Sequence, residues 1–358
     1  MAPVTPPLPV TVVVATWKRP GLLLTTLESV FAQSPPPREV IVVDDGSPDD
    51  TAARVAPLAE AGRIRYVRQA NAGMAAARNA GARLATSEYL YFLDDDDLLF
   101  PGALQPLVEE MTRRQDAAFV YGELIEFRGD HPGPPPALAG PPTPVDPAAF
   151  LRFNGLGSPG QVLIRREAFA AVGGFDGTIW GTDDWDLWLR LLARHPAWRV
   201  PVPVLAYRLH GNNASRDVAR MYRSSLRVAR AHTAAVPADR RAAARFQNRL
   251  ALRAYHAPRI AAQVRAAAGA GAWGAGLRAA ATWVNCWAVD LGARVLLKAS
   301  LAREGRWRLP SPAAAPKVPL AAPVPVRVPV AAAPGSVDSY SARSVAAEST
   351  RDPRRAGA

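Results

Sequence analysis

Cysteine is all but missing from this chain: Cys286 stands alone among 358 residues. A single thiol excludes an internal disulfide framework and any multi-cysteine metal site; it fits a reducing compartment, or a protein that needs no cross-link. Long apolar runs are missing too. No stretch reaches the roughly 20 residues that span a bilayer. The opening MAPVTPPLPVTVVVATWKRP has neither a basic first region nor a long apolar one, so no signal peptide is expected. No internal repeat is found. What is there is 49% hydrophobic, enough for a real core in one large domain or two smaller ones.

Charge is unevenly spread. Residues 1–217 carry 20 Lys and Arg against 25 Asp and Glu, whereas residues 218–358 carry 23 against 6. Such an asymmetry points to two parts with different roles, and a basic surface favours nucleic acid or anionic membrane. The Ala, Arg and Pro richness also fits a plain compositional bias.

The first half alternates strand-like and helix-like segments. Val10–Ala15, Val40–Val43, Ile64–Val67 and Tyr89–Leu93 are short apolar runs of strand length, separated by helical patterns over Pro20–Gln33 and Met74–Leu84. Ser47-Pro48-Asp49-Asp50 reads as a helix start with Ser47 as cap. This pitch predicts an α/β domain: a mainly parallel sheet with helices on both faces. Beyond a Pro/Gly-rich loop at 129–147, Gly160–Ile164 reads as a strand and Arg166–Val172 as a short helix ended by Gly173-Gly174. An acidic turn then leads into an amphipathic helix, and Val200–Leu209 is extended, its two prolines suiting an edge.

Carboxylates mark the chemistry. Asp44-Asp45 and the run Asp94-Asp95-Asp96-Asp97 each follow an apolar strand. Ligands of open α/β sheets sit beyond the carboxyl ends of the strands, so both clusters are expected to face one crevice. Acids gathered there call for a cation, and hard ions such as Mg²⁺ or Mn²⁺ share their shells with substrate phosphates. In an extended segment residues i and i+2 point the same way, so Asp94 and Asp96 are expected to converge.

Seven segments, VTVVVATWKRP, VVDDGSPDDT, NAGMAAARNAG, YFLDDDDLLFPGAL, VGGFD, GTDDWDLWLRL and YRLHGNNAS, stand in an order and spacing that resemble the family-2 glycosyltransferases over residues 10–216. The resemblance implies a single Rossmann-like GT-A domain. It also implies inverting transfer of a sugar from a nucleotide-diphosphate donor, UDP favoured, to a hydroxyl acceptor, with Mn²⁺ or Mg²⁺. Carried over by motif, Thr16, Arg19 and Pro20 lie where the family contacts the nucleoside. Asp45 matches the acid that binds the base, with Asp44 beside it; a simple turn and cap is the plainer reading. Arg78, in the segment with Asn71, Gly73 and Asn79, either approaches the diphosphate or braces the acids. Asp94 and Asp96 are the metal-binding pair, with Asp95 in the variable place and His210 as a third ligand. Asp184 is the base, Asp183 stands where Glu is commoner, and Asp186 is the next candidate. Trp180, Trp185 and Trp188 are candidates for an acceptor platform, with packing as the alternative for Trp188.

The expected layout is a catalytic domain over 8–217 (nucleotide half 8–125, acceptor half 148–217), a helical basic extension over 218–308 and a Pro/Ala-rich disordered tail over 309–358. Within the extension, 272–298 carries tryptophans at helical spacing flanked by Arg and Lys. It reads either as a helix lying on a membrane surface or as one packed on the catalytic domain. The location that follows is cytoplasmic, or peripheral on the inner face of the cytoplasmic membrane. The competing functions are a catalytically silent nucleotide-sugar binder and a basic nucleic-acid-binding protein. The second is disfavoured because no reading motif and no aromatic–basic interleaving is present.

Overall fold

In the computed structural model, which describes residues 6–211, 217–269 and 280–282, the run of valines becomes β1 (Leu8–Thr16). It is continuous because both of its faces are covered. Val10, Val12 and Val14 pack into one apolar cluster with Leu23, Leu27 and Leu107, while Val13 and Ala15 pack into another with Ile41, Phe92 and Trp188. Alternation of side chains along the strand assigns each residue to its layer.

Chain order then runs α1 (Pro20–Phe31), β2 (Pro37–Asp44), α2 (Thr51–Glu60), β3 (Arg65–Arg68), α3 (Met74–Leu84), β4 (Tyr89–Asp94), β5 (Leu98–Leu99), α4 (Leu104–Arg113), β6 (Phe119–Phe127) and β7 (Thr143–Pro144). It continues through α5 (Pro147–Arg152), β8 (Val162–Arg165), α6 (Arg166–Ala171), α7 (Asp183–Leu192), β9 (Ala197–Arg208), α8 (Val218–Thr233) and α9 (Ala238–Gly269). The sheet order is β3-β2-β1-β4-β8-β6-β9-β5, with β7 also on β9. Parallel pairs carry most of the register, as expected; β8 runs antiparallel to both β4 and β6. Strand β8, from the span expected to form an acceptor half, thus lies between β4 and β6 of the preceding span, and both spans share one sheet.

Two local expectations are corrected. Ser47 does not cap a helix. Its hydroxyl accepts from the Lys18 N–H at 3.0 Å and its own N–H donates to Asp44 at 2.7 Å, so it ties two loops together. Helix α2 starts later, at Thr51, whose N–H and hydroxyl both donate to Asp49. Strand β9 is an edge only in its middle. β7 pairs Trp198–Arg199 and β5 pairs Leu205–Ala206, and Pro201 and Pro203 fall in the gap between them, where no ladder N–H is needed.

Helix α3 sits unusually close to the sheet, which is why it is built of small residues. Ala75, Ala77, Gly81 and Ala82 are its buried positions along with Arg78, and a Cβ placed on Gly81 would lie 2.3 Å from Val13 Cγ1. Gly81→Ala is therefore expected to destabilise the protein by about 1–3 kcal/mol through overpacking, despite a gain of about 1 kcal/mol in helix propensity. Urea unfolding measures it, and a stabilised variant would contradict the packing described.

Among the described residues no helix is long and apolar enough to cross a membrane. The segment 272–298, apart from residues 280–282, and the tail 309–358 lie outside the described residues.

Candidate functional site

Sheet register brings the acids together. Thr16 stands opposite Asp44 and Ala15 opposite Asp94, so β1, β2 and β4 end side by side at one rim. The chain turns immediately after Asp94, with the Asp97 N–H donating to the Asp94 carbonyl at 3.2 Å. Extended alternation stops there, and Asp94 and Asp96 take different partners. Asp94 Oδ1 accepts from Arg78 Nη2 at 2.5 Å, and its Oδ2 from Ser158 at 3.4 Å. Asp96 Oδ2 meets Arg19 Nη1 and, at 2.8 Å, His210 Nε2.

Asp95, in the variable position, is buried. It accepts from the Thr16 hydroxyl at 2.7 Å and from Arg19 at 3.2 Å. Burial, then the neighbouring Asp96, push its pKa up to about 7 against the pull of Arg19 and Thr16. Asp97 is also pushed well up by burial; one oxygen accepts from the Arg208 N–H at 2.9 Å. Arg208 Nε holds the Asp96 carbonyl at 3.0 Å, so the end of β9 fixes the acidic turn. Nothing in the sequence pattern singled out Arg208, which lies two residues before His210.

Asp44 and Asp45 are both buried and engaged. Asp44 accepts from Ser47 and, at 2.6 Å, from the Tyr66 hydroxyl. Asp45 accepts from Gln69 Nε2 and from the N–H groups of Ala72 and Gly73 at 2.8–2.9 Å. The pair holds loop 69–73 over the end of β2. Beside the pair, Trp17 is 43% exposed, and Lys18 next to it has φ +60.

Across the crevice, α7 opens with Asp183, Asp184 and Asp186, all buried. Arg78 stands between the two acidic groups. Besides Asp94 it reaches Asp183 Oδ2 at 3.3 Å, and these two acids outweigh the burial that would otherwise lower its pKa, so it stays charged. Asn79 pins the same region, exchanging hydrogen bonds with the backbone N–H and carbonyl of Phe175. Asp184 accepts from the Trp185 N–H at 2.7 Å and from Asn154 Nδ2 at 3.4 Å. Burial and then Asp183 raise its pKa to about 7. Asn154 was not foreseen, since it lies in an irregular stretch after α5 with no motif around it.

Asp186 is removed as a candidate base. Burial alone would raise its pKa, but hydrogen bonds from His232 (2.8 Å) and Arg190 (2.8 Å) hold it below the usual carboxylate value. His232, which had no sequence context, therefore has a structural role, locking α8 to α7. Trp185 and Trp188 are fully buried, the former donating to the Phe150 carbonyl, so neither forms a platform. Trp180 is partly exposed and stacks under Arg220 at 3.9 Å. Among the described residues no three His, Cys, Asp or Glu side chains gather as a ready metal cage.

Known proteins match the same span. The description "Glycosyl transferase family 2" fits residues 11–173, and "Glycosyltransferase like family 2" fits residues 149–236. An uncharacterized glycosyltransferase of Rickettsia bellii is 26% identical over 215 residues; the match takes in 58% of this chain and 31% of that longer protein. The succinoglycan biosynthesis protein ExoW of Rhizobium meliloti is 43% identical over 100 residues, 27% of this chain and 31% of its own. Among solved structures, the mannosyltransferase PcManGT from Pyrobaculum calidifontis, in complex with GDP-Man and Mn²⁺, aligns with a TM-score of 0.52 at 22% identity. That alignment covers 82% of this chain and 84% of that one, and it is a likeness of fold. With two family descriptions that overlap to cover residues 11–236, and the motif acids gathered at one rim of the sheet, the chain belongs to the family-2 glycosyltransferases.

Proposed function

We propose that this chain moves a glycosyl group from a nucleoside-diphosphate sugar to a hydroxyl acceptor with inversion at the anomeric carbon. The observation that carries the reading is the pair of acidic groups facing one another across Arg78: the turn 94–97 at the end of β4, and Asp183-Asp184 at the start of α7. Asp184 takes the acceptor proton as the acceptor oxygen attacks from the face opposite the leaving diphosphate. Its pKa near 7 keeps it a usable base at neutral pH, and Asn154 orients it. Arg78 opposes the burial that raises the Asp183 pKa and holds the two acidic groups at a fixed separation.

On the donor side, Thr16, Arg19, Asp44 and Asp45 frame the nucleotide region, with Trp17 open beside it. The carboxylate of Asp96 and the imidazole of His210, 2.8 Å apart, are an O/N donor pair that suits Mn²⁺ or Mg²⁺, the rest of the shell coming from diphosphate oxygens. When bound, such an ion offsets the charge that builds on the leaving diphosphate. Asp94, held by Arg78, would contribute from the neighbouring position. UDP is the favoured nucleotide, though a neighbour of the same fold holds GDP-Man. Polysaccharide synthesis is the favoured setting, supported by the name of one relative. The catalytic domain to residue 217, the basic extension beyond it, and a peripheral place on the inner membrane face through 272–298 belong to the same reading.

A titration with UDP, GDP, CDP and dTDP, with and without Mn²⁺, tests it. One nucleotide is expected to bind in a metal-dependent way, and Asp96→Ala is expected to weaken it by at least about tenfold. Binding indifferent to both metal and Asp96 would remove the acidic turn from the donor site.

A further inference from the structure

Away from the crevice, α8 and α9 line an open cavity of about 260 Å³. Each helix lines it with one stripe at i, i+3, i+4, i+7 spacing: Leu226, Ala229, Arg230 and Thr233 from α8, and Arg245, Asn248, Arg249 and Leu252 from α9. Three features are unusual together. Arg230, Arg245 and Arg249 converge on one cavity, yet none has a carboxylate partner among the described residues. Acids to pair with them are scarce, since residues 218–269 hold eleven arginines and one acid, Asp239, which pairs with Arg240. Asn248 is 2% exposed; its Nδ2 donates to the Leu151 carbonyl while its Oδ1, also buried, accepts from no group among the described residues. The remaining wall is apolar, from Leu226, Ala229 and Leu252.

Arg230 and Arg245 stand exposed at the mouth of the cavity and Arg249 is half-buried, whereas Asn248 beneath them is a buried acceptor without a donor, which costs free energy. The lining asks for an anion, a hydroxyl donor and an apolar flank in one molecule. We propose that this cavity binds a phosphate ester that carries free hydroxyls. Arg230, Arg245 and Arg249 take the phosphate oxygens, forks matching the planar oxygen pairs. A neighbouring hydroxyl donates to Asn248 Oδ1, and the carbon skeleton lies on Leu226 and Leu252. The same chemistry is offered by a soluble polyol phosphate and by the headgroup of an anionic glycerol lipid.

The test uses the full chain and does not read transfer activity, so it stands apart from the reading of the crevice. Binding of glycerol 3-phosphate and of inorganic phosphate is measured by calorimetry. Binding of phosphatidylglycerol and phosphatidylcholine vesicles is measured by co-sedimentation. The Arg245→Gln/Arg249→Gln double variant is compared with Arg223→Gln/Arg265→Gln, which removes the same charge from exposed positions outside the cavity. Glycerol 3-phosphate binding, tighter than inorganic phosphate and weakened at least about tenfold only by the cavity variant, establishes the site with a soluble source. Phosphatidylglycerol binding lost in the same selective way, with no binding of the soluble ester, establishes it with a lipid source. Failure of every probe, or equal loss in both double variants, overturns the proposal, the second outcome reducing it to general basicity.

Discussion

Asp184→Asn is expected to lower kcat by about 10²–10⁴ while leaving nucleotide-diphosphate affinity unchanged, because it removes the proton acceptor and keeps the shape. The same change is expected to stabilise the fold. Burial holds the native pKa of Asp184 near 7, above its unfolded value of about 3.9, so the native state binds the extra proton more tightly. The destabilisation that results is absent below about pH 4, grows as pH rises, and is complete above about pH 7. Removing the charge at pH 8 therefore returns about 1–3 kcal/mol. In the unmodified protein, kcat/KM is expected to fall about tenfold per unit as pH drops below about 7. Kinetics and urea unfolding of the one variant check both limbs. An active variant, or one whose stability gain is the same at pH 4 and pH 8, would move the base to Asp183.

Arg78→Met is expected to cost about 3–5 kcal/mol at pH 8, since it strands Asp94 and Asp183 without their shared cation in a buried setting. The loss should shrink towards pH 5. Asp183 is already raised by burial, with Arg78 the main opposing influence, so without the arginine it protonates at higher pH and the stranded charge disappears. Arg78→Lys, which cannot span two carboxylates as a fork does, should fall in between. Unfolding free energies at the two pH values decide it. A loss under about 1 kcal/mol, or one independent of pH, would mean the bridge is not what holds the crevice together.

These two residues also show what could be read without coordinates. Arg78 and Asp184 both stood in motifs, and the strands that carry or precede the acids were legible because an apolar run of strand length bounded by turns has few alternatives. Helix α3 was legible from end to end. The partners were not. That Arg78 joins Asp94 to Asp183 depends on how closely α3 lies against β1, and that approach rests on one glycine against one valine, a long-range fit with no local signature. Asn154, Arg208 and His232 were missed for the same reason: each acts on an aspartate 30 or more residues away, Asn154 and His232 on its carboxylate and Arg208 on its backbone carbonyl. For Asp94 and Asp96 the alternation was carried two residues past the end of β4, and the two carboxylates meet different side chains.

The position of β8 has a consequence for biosynthesis. Strand β4 is made early, but its second neighbour is encoded roughly 70 residues downstream. At about 5–20 residues per second the ribosome needs about 4–14 s to supply it. Throughout that interval an apolar strand tipped by four carboxylates presents an open hydrogen-bonding edge. The charges at its tip then act as a guard against pairing with a neighbouring nascent chain, before any substrate has been met.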